Sequence, residues 1–544
     1  MKWGRCMFEP KRIRFLFVGA MFLIACGAPL EDEVGASARA SSGPRAWLRE
    51  PGAGQRVQLS TQVNSSALSG LESAASLVKA SAASTFAPGC TQGPEDSVYP
   101  NAEVEPSITF DKVHNTFVAA WQEDRFASLG GSRGLVNAYS TDAGKTWHRT
   151  SVPFSRCTGG TAQNGGDWER ATNTVLTASP NGTVHQIALV FDTGPGGSVV
   201  ATRSTDGGRT WAPTIALRTD LAGEIINDKP TITADPNDSR FVYATWHRLD
   251  FTPDPANFSH FFDPTWFTRS SDGGQTWEAA RPIFDPGLDQ DTFYDQVAVL
   301  PNGDLVLGLT YFPDGSSDNV RPVALRSTDH GATWSGPIFI DGLIPAGGVQ
   351  THPVFDPTTG AAIRALGTFF IAADPRPGRR KVYAAYLDNR GGVAHVSVSR
   401  STDGGKTWSA PVRINHVPTA QAFPQWLAVN SAGVVSVLYD DLRNDTSDPA
   451  VLQANTFLAS CNPANTDCLT PADWTEVGVG GTFDLSTAPN TSLGYALGDA
   501  QSVVAVGCAF VPMVVLANSG DTSNRTDVFV GRPQTFPIGT CDAL

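Results

Sequence analysis

One eight-residue pattern, Ser-x-Asp-x-Gly-x-Thr-Trp, occurs five times and restricts the folds open to this chain more than any other feature. The aspartates of successive copies are 57 to 74 residues apart. Such spacing indicates a fold built from copies of one small unit. The copies are STDAGKTW (140–147), STDGGRTW (204–211), SSDGGQTW (270–277), STDHGATW (327–334) and STDGGKTW (401–408), with aspartates Asp142, Asp206, Asp272, Asp329 and Asp403.

The residues before each copy predict two antiparallel strands joined by a tight turn. An apolar run, a turn such as SPNG, DPND or NSAG, and a second apolar run ending in an aromatic residue recur along the chain. A third, alternating strand runs into the copy, and a fourth follows its tryptophan. Each unit is therefore predicted to be a four-stranded antiparallel meander with the eight-residue pattern in the turn between strands three and four.

Four-stranded units repeated around an axis predict an all-β fold of the β-propeller type. Seven units can be counted within residues 105–531. The sixth begins at Phe423 and has SCNPANTDC in place of the eight-residue pattern, and the seventh shows three strands. An early strand at 56–61 is predicted to supply the missing fourth strand, because closing the ring removes exposed sheet edges. Six units with irregular ends are the alternative.

Composition agrees with this fold and excludes some partners. Charged residues are only 17% of the 544, while 53 glycines and 38 prolines favour strands joined by many turns. The formal charge of −14 argues against a nucleic-acid or anionic-lipid surface. We therefore expect no nucleic-acid partner.

The first 26 residues predict export. Lysines and arginines precede an apolar run at 15–25, which is too short to span a membrane as a stable helix. The run ends in LIAC, which resembles a bacterial lipoprotein signal and implies lipidation of Cys26. An ordinary secretory signal is the alternative. Residues 27–54 are predicted to be a flexible tether, and residues 55–544 the propeller. The expected location is the bacterial cell envelope or outside the cell, with membrane contact through the lipid anchor only.

The six cysteines beyond Cys26 predict disulfides, because their number is even and the chain is expected to be exported. Cys461 and Cys468 close a short loop and are the first pair expected. Pairs Cys90–Cys157 and Cys508–Cys541 then follow from proximity along the chain. The sequence has no CxxC, HxxxH or HxH pattern, so neither a metal site nor a cofactor is expected.

The eight-residue pattern resembles the Asp-box of the sialidase superfamily, which also occurs in other propeller glycosidases and in non-catalytic proteins. The resemblance covers about 105–531. Turn chemistry explains each fixed letter: Asp accepts backbone N–H groups, Gly takes a positive φ, Ser and Thr add hydroxyl bonds, and Trp covers the turn. We therefore predict a structural role for the five aspartates, with surface binding as the alternative.

Any active site is then expected at the opposite end of the units, where strand one begins and strand two ends. The candidates that precede a first strand, and that should therefore surround the central channel, are Glu105, Glu169–Arg170, Asp228–Lys229, Tyr294–Asp295–Gln296, Gln425 and Asp499–Gln501. An aromatic-x-acid-x-Arg pattern follows a second strand three times and ends in Arg125, Arg390 and Arg443.

The resemblance implies a set of roles for these residues. Sialidases bind the substrate carboxylate with three arginines and use a tyrosine, activated by a carboxylate, as nucleophile. By location, Arg125, Arg390 and Arg443 supply the clamp with Glu105 beside it, and Tyr294 and Asp295 supply the nucleophile region. Glu169 or Asp228 transfers the proton. The family's Arg-Ile-Pro signature is absent, and an ion pair within each unit is the alternative reading of acid-x-Arg.

Together these features predict an exported, lipid-anchored propeller that acts on or binds glycans as a monomer. Its most concrete form is an exo-acting, sialidase-like glycoside hydrolase. A non-catalytic cell-surface propeller that binds a protein or polysaccharide is the alternative, and a glycosidase with a different pair of carboxylates is a third reading. The aromatic-rich segment 251–267 is either a platform for sugars or packs over its own unit.

Overall fold

A computed structural model defines the chain over residues 77–91, 98–128, 130–192, 196–221, 223–255, 260–313, 319–345, 354–365, 368–531 and 534–535. Within these ranges the secondary structure is all β, apart from 3₁₀ turns at Arg156–Thr158, Pro471–Asp473 and Leu485–Thr487. No helix in this part of the chain is long and apolar enough to cross a membrane. The predicted signal and tether, 1–54, lie outside the described residues.

Strands β1 to β17 form the first half of the described chain. They are β1 Leu77–Lys79, β2 Val98–Asp111, β3 Thr116–Phe126, β4 Ser132–Ser140, β5 His148–Thr150, β6 Arg170–Ala178, β7 Val184–Phe191, β8 Gly197–Ser204, β9 Ile215–Asp220, β10 Ile225–Ala234, β11 Val242–Asp250, β12 Thr265–Ser270, β13 Arg281–Phe284, β14 Asp291–Val299, β15 Leu305–Phe312, β16 Asn319–Ser327 and β17 Ile338–Phe339.

The second half begins with a short strand that pairs with β16. Its strands are β18 Ile344–Pro345, β19 Phe369–Ala373, β20 Val382–Asp388, β21 His395–Ser401, β22 Val412–Arg413, β23 Ala422–Val429, β24 Val435–Asp441, β25 Gln453–Cys461, β26 Thr475–Asp484, β27 Asn490–Thr491, β28 Gly494–Tyr495, β29 Ser502–Val506, β30 Ala509–Ala517, β31 Thr526–Gly531 and β32 Gln534–Thr535.

Strands that follow one another in the chain pair antiparallel and make four-stranded sheets. We number them sheet 1 (β2–β5), sheet 2 (β6–β9), sheet 3 (β10–β13), sheet 4 (β14–β17), sheet 5 (β19–β22) and sheet 6 (β23–β26). Single residue pairs, Ser132 with Ala171 and Ala102 with Thr526, connect sheet 1 to its neighbours. The predicted all-β, four-stranded meanders are confirmed.

Sheet 7 is completed by a strand from the other end of the described chain. It contains β29, β30 and β31, and β1 pairs with β31 through Leu77, Val78 and Lys79. The predicted fourth strand, 56–61, lies outside the described residues. In the described part of the chain, residues 77–79 pair with β31 at the position predicted for that strand. The repeats themselves do not reveal this strand, because three residues are too few to show alternation.

The first strands of the sheets pack together in a cyclic order. Contacts run from β2 to β6, β10, β14, β19, β23 and β29, and β29 contacts β2. Apolar side chains fill the space between adjacent sheets, and the largest fully buried ones include Trp121, Trp246 and Tyr439. Burial on both faces explains why first and second strands carry long apolar runs.

The five boxes have the structural role that the sequence predicts. In the last copy, Asp403 Oδ1 accepts the backbone N–H groups of Lys406 and Thr407 at 2.9 and 3.0 Å, and Oδ2 accepts the Thr407 hydroxyl at 2.7 Å. The Ser401 hydroxyl accepts Gly405 N–H at 2.8 Å. The Thr-to-Asp bond recurs in all five copies. A carboxylate so occupied is poorly placed for proton transfer.

The fixed glycine and tryptophan of each box connect neighbouring sheets. Gly405 has a φ of 83°, and a Cβ there would lie 3.0 Å from Val306 of the preceding sheet. Trp334 lies with its ring centroid 5.4 Å from that of Phe267, also in the preceding sheet. The box is therefore both a turn and a contact between sheets.

Disulfides close two of the irregular loops. Cys461 pairs with Cys468 in the connection from β25 to β26, where the other sheets have a box, and Cys90 pairs with Cys157. Both predicted pairs are confirmed. Cys508 is also disulfide-bonded, and its predicted partner Cys541 lies outside the described residues.

We predict that Asp142→Asn lowers the free energy of unfolding near neutral pH by about 1 kcal/mol, because the amide accepts the box donors less well. Hydrogen bonds from the Thr146 side chain and backbone lower the pKa of Asp142 to about 2, below the roughly 3.9 of an unfolded chain. The stabilisation is therefore present above about pH 4 and is lost as pH falls through 2.

Urea unfolding of both proteins between pH 2 and pH 7 checks this prediction. The stability gap should shrink toward pH 2, whereas a gap independent of pH would contradict it. Asp467→Asn is the control, since that side chain is 85% exposed and should change stability little.

Candidate active site

Four first strands carry a left-handed residue at a shift in pairing register. Glu105 in β2, Asn173 in β6, Lys229 in β10 and Tyr294 in β14 have φ of 53°, 50°, 50° and 57°, and each lies where the pairing with the second strand shifts. Non-glycine residues in this conformation are held there at a cost of about 1–3 kcal/mol each. A bulge re-aims its side chain, and these four point toward one place.

A cavity of about 70 Å³ lies among the first strands and is bounded by these four residues. Apolar groups, among them Pro106, Pro230, Phe370 and Trp426, form much of its wall. Asp499, from the segment before β29, completes one side. Such a volume holds a few water molecules or one small part of a ligand. The cavity lies at the end predicted from the position of the boxes.

Asp499 is bound by two cations and is the centre of the site. Its Oδ2 accepts Arg364 Nη2 at 2.7 Å, Oδ1 accepts Arg364 Nε, and Lys229 Nζ forms an ion pair with Oδ2. A two-pronged guanidinium contact fixes the orientation of a carboxylate as well as its charge. Lys229 also lies 3.9 Å from Asp228.

Glu105 is the second buried carboxyl group of the site. Its Oε1 accepts the backbone N–H of Asp499 at 3.0 Å, and its Oε2 accepts the side-chain amide of Gln122. The Glu105 N–H donates to the Leu497 carbonyl at 3.1 Å. Glu105 therefore holds the segment before β29 against β2.

The two carboxyl groups have oppositely shifted acidities. Burial, reinforced by the charge of Asp499, raises the pKa of Glu105. Burial alone would also raise the pKa of Asp499, but Arg364 and Lys229 more than offset it and hold that pKa well below its ordinary value. Glu105 is therefore protonated more readily than Asp499.

Tyr294 faces the same cavity, and its hydroxyl is hydrogen-bonded to a backbone carbonyl. Its hydroxyl donates to the backbone carbonyl of Asp499 at 3.4 Å. Burial, with the Asp499 charge, raises the pKa of Tyr294 well above its usual value. The phenol is therefore held neutral, which disfavours the nucleophilic role that the family resemblance implies.

Two buried arginines beside the site contact backbone carbonyls. Arg125 Nη1 donates to the Gly131 carbonyl, and Arg170 Nη1 donates to the carbonyls of Ser128 and Gly130 at 2.6 and 2.8 Å. Burial lowers the pKa of each to about 10, and for Arg125 the charge of Arg364 adds to the effect. Nearby carboxyl groups partly oppose these shifts: Glu105 and Asp499 raise the pKa of Arg125, and Glu169 raises that of Arg170.

The three predicted clamp arginines do not come together. Arg390 binds Asp341 at 2.7 Å and also Asp388, two residues earlier. Arg443 binds Asp441 in the same way and Glu476 at 2.9 Å on the outermost strand of its own sheet. In both cases the arginine turns back onto the acid of its own pattern, so acid-x-Arg is a turn brace there.

Arg125 differs because β3 continues through its pattern. Asp124, which stands between Glu123 and Arg125, has a φ of 61°, and this left-handed conformation separates Arg125 from Glu123. Glu123 instead pairs with Arg149. The same sequence pattern therefore places an arginine beside the site in sheet 1 but forms local ion pairs in sheets 5 and 6. The outcome depends on whether the second strand continues through the pattern or ends at its acidic residue.

The predicted acids are divided among several surroundings. Asp228 accepts the Asn173 amide at 2.6 Å and adjoins Lys229 at the cavity. Glu169 lies just before β6, where its backbone N–H donates to Asp192 at 2.9 Å. Asp295 follows Tyr294 but points into the space between sheets 3 and 4, because adjacent strand residues face opposite sides.

The sequence places Asp499 among the residues expected around the channel but assigns it no role, and it gives no indication of Arg364. Asp499 precedes a first strand, as the position rule requires, but belongs to the irregular seventh unit. Arg364 lies in segment 354–365, which has isolated bridges instead of a regular strand. No repeat signal could have found Arg364, since it has no counterpart in the other units.

Comparison with known proteins identifies the repeats. Residues 115–341 match the family described as "BNR repeat-like domain", and residues 399–410 match "BNR/Asp-box repeat". The chain therefore contains BNR/Asp-box repeats, in agreement with the resemblance of its boxes.

Individual relatives are more distant. Xyloglucanase Xgh74A of Acetivibrio thermocellus is 29% identical over 187 residues, which are 33% of this chain and only 19% of that protein. The α-L-arabinofuranosidase Arb93A of Fusarium graminearum has a TM-score of 0.43 and 14% identity, over 72% of this chain and 99% of that one. The Hadza microbial sialidase Hz136 has a TM-score of 0.40 and 16% identity, over 62% and 63%.

We predict that Arg364→Met lowers the free energy of unfolding by about 3–5 kcal/mol, because it leaves the buried Asp499 with one cation. Arg390→Met is the matched control, since Arg390 also forms an ion pair with an aspartate but is one-third exposed. This substitution should lower the free energy of unfolding by at most about 1 kcal/mol. Denaturant unfolding measures both. Equal losses in the two variants would contradict a central role for the Arg364–Asp499 pair.

Proposed function

We propose that the seven sheets are blades of a closed, seven-bladed β-propeller, with β1 as the closing strand. The cyclic contacts of the first strands support this, because β29 of the last sheet contacts β2 of the first. The pairing of β1 with β31 supports it independently, since it joins the two ends of the described chain. Closure leaves a central channel, and the site lies in it.

We propose further that the protein is an exo-acting glycoside hydrolase with Glu105 as proton donor and Asp499 as the ionised partner. The observation that carries this is the pair of buried carboxyl groups whose pKa values are shifted in opposite directions. Because the two pKa values are shifted apart, one group can be protonated while the other is ionised at the same pH. Glycoside hydrolysis needs these two forms together.

The proposed reaction assigns a role to each group. Protonated Glu105 gives its proton to the glycosidic oxygen as the bond to the anomeric carbon breaks. Asp499, held ionised by Arg364 and Lys229, stabilises the positive charge that develops on the sugar ring. Water then adds to the anomeric carbon and returns a proton to Glu105. Tyr294 borders the sugar and does not attack it.

We propose a terminal sugar with a carboxylate as the substrate class. Arg125 and Arg170 are buried cations whose hydrogen bonds given above go to carbonyl groups, and a substrate carboxylate would complete their charge balance. The small cavity admits the end of a chain better than its middle. A sialic acid is the first candidate because of the family, and a uronic acid is the second.

We predict that Glu105→Gln abolishes release of the sugar from sialyl-lactose but leaves much of the release from an aryl sialoside. An aryl leaving group departs without a proton, whereas a sugar hydroxyl needs one. The wild type should lose activity as pH rises through the raised pKa of Glu105. Asp499→Asn should reduce release from both substrates at least 100-fold.

The matched control is Asp374→Asn, a buried aspartate held by Arg376 at 2.6 Å at the box end of sheet 5. It should leave kcat unchanged. Uronides and neutral arabinosides serve as comparison substrates. Equal loss on sialyl-lactose and on the aryl sialoside in Glu105→Gln would contradict the proton-donor role. Saturable glycan binding by the wild type with no release from any substrate would favour the alternative, a non-catalytic binding propeller.

Export and lipid anchoring belong to the same proposal and rest on the sequence of residues 1–26. We predict that Cys26→Ser removes incorporation of labelled palmitate and releases the protein from the membrane fraction. Cys6→Ser, which lies before the predicted processing position, is the matched control and should keep both. Palmitate incorporation that persists in Cys26→Ser would contradict lipidation at Cys26.

A further inference from the structure

A second polar cluster lies behind Tyr294, between sheets 3 and 4. It consists of His247 near the end of β11, Asp263 just before β12, and Asp291 at the start of β14. Each residue offers one atom that could bind a metal, a ring nitrogen or a carboxylate oxygen, and these three atoms lie within 4.8 Å of one another. All three residues are buried. Asp295 borders the cluster through the Thr265 hydroxyl, which donates to its Oδ1 at 3.2 Å.

The buried polar atoms of this cluster are only partly satisfied. His247 Nδ1 lies 2.8 Å from Asp263 Oδ2. Apart from a hydrogen bond between the carboxyl groups of Asp263 and Asp291, the described residues offer no hydrogen-bond partner to four buried atoms: His247 Nε2, Asp263 Oδ1, Asp291 Oδ1 and Asp295 Oδ2. Asp263 and Asp295 are fully buried, and in this part of the chain no lysine or arginine forms an ion pair with any of the three aspartates. Each unpartnered buried group is unfavourable unless something binds it.

We propose that His247, Asp263 and Asp291 bind a divalent first-row transition ion, Zn²⁺ or Mn²⁺, with Asp295 beside it. Imidazole nitrogen with carboxylate oxygens suits such ions, whereas Ca²⁺ prefers oxygen ligands throughout. Three donors about 2.0–2.2 Å from one ion lie roughly 3–4 Å from one another. The three donor atoms, which lie within 4.8 Å of one another, would therefore move closer together when the ion binds. The ion supplies the positive charge that this buried cluster lacks.

The ion would hold in place the part of the aromatic-rich segment around Phe261 and Asp263. Asp263 belongs to this segment, His247 to sheet 3 and Asp291 to sheet 4, so binding ties the segment to two sheets. Phe251 and Phe261 of the segment are already buried, with ring centroids 5.9 Å apart. Asp295 is adjacent to Tyr294, so the same ion supports one wall of the cavity. The sequence shows no metal pattern because the ligands come from three separate elements.

The test uses the purified full chain, stripped with a chelator and then titrated separately with Zn²⁺, Mn²⁺ and Ca²⁺. We expect one equivalent of Zn²⁺ or Mn²⁺ to bind by calorimetry and mass spectrometry, with a rise in Tm and weaker binding of Ca²⁺. Asp263→Asn and His247→Gln should each weaken binding at least tenfold and lose the Tm response. Asp440→Asn removes a buried carboxylate of sheet 6 and should behave as wild type.

Several results would overturn the proposal. One is a wild type that binds none of the three ions with a Tm response. Another is an Asp263→Asn variant that binds as tightly as wild type, which would direct attention to the exposed His260–Asp289 pair. A third is a wild type without bound ion together with a more stable Asp263→Asn, since that pattern indicates carboxyl groups that share protons. If the variants fail to fold, the wild-type titration decides alone. None of these measurements depends on glycosidase activity.

Discussion

Each four-stranded sheet in this protein has two apolar faces, and only the neighbouring sheets can cover them. This constraint explains why one turn sequence recurs, because every sheet must meet the next in the same geometry. The box satisfies it locally: its carboxylate and hydroxyls saturate the turn, its glycine allows close approach and its tryptophan packs against the preceding sheet. In the last sheet, the fourth strand is β1, from the other end of the described chain.

The opposite end of the first strands meets a different constraint. Left-handed residues at four register shifts aim Glu105, Asn173, Lys229 and Tyr294 into one small cavity. That local strain persists because packing on both faces of each sheet leaves the strands no room to relax. The ion pairs of Asp499 with Arg364 and Lys229 then offset the cost of removing these three charged groups from water. The rigid box end and the strained, charged end are thus two consequences of one architecture.

Much of the fold could be predicted from the sequence, because its information is local. Hairpin turns, alternation and the boxes specify each meander, and the loop from Cys461 to Cys468 was visible as a replacement for a box. The site could be predicted only in part. Its end of the sheets followed from the position of the boxes. Glu105 and Tyr294 line the cavity, and Asp228 lies beside Lys229 at its edge. Arg390 and Arg443 share the Arg125 pattern but form braces, since that difference depends on how far a strand continues.

The sequence alone determined the repeating unit, the position of each turn and the end of the sheets at which polar groups collect. These follow from hydrogen bonding and periodicity within about forty residues of chain. Only the tertiary structure decided which distant groups meet: Arg364 and Asp499 across an irregular segment, β1 beside β31, and His247 beside Asp263 and Asp291. Their surroundings also decide their acidity, because burial and neighbouring charges come from strands far apart in the chain.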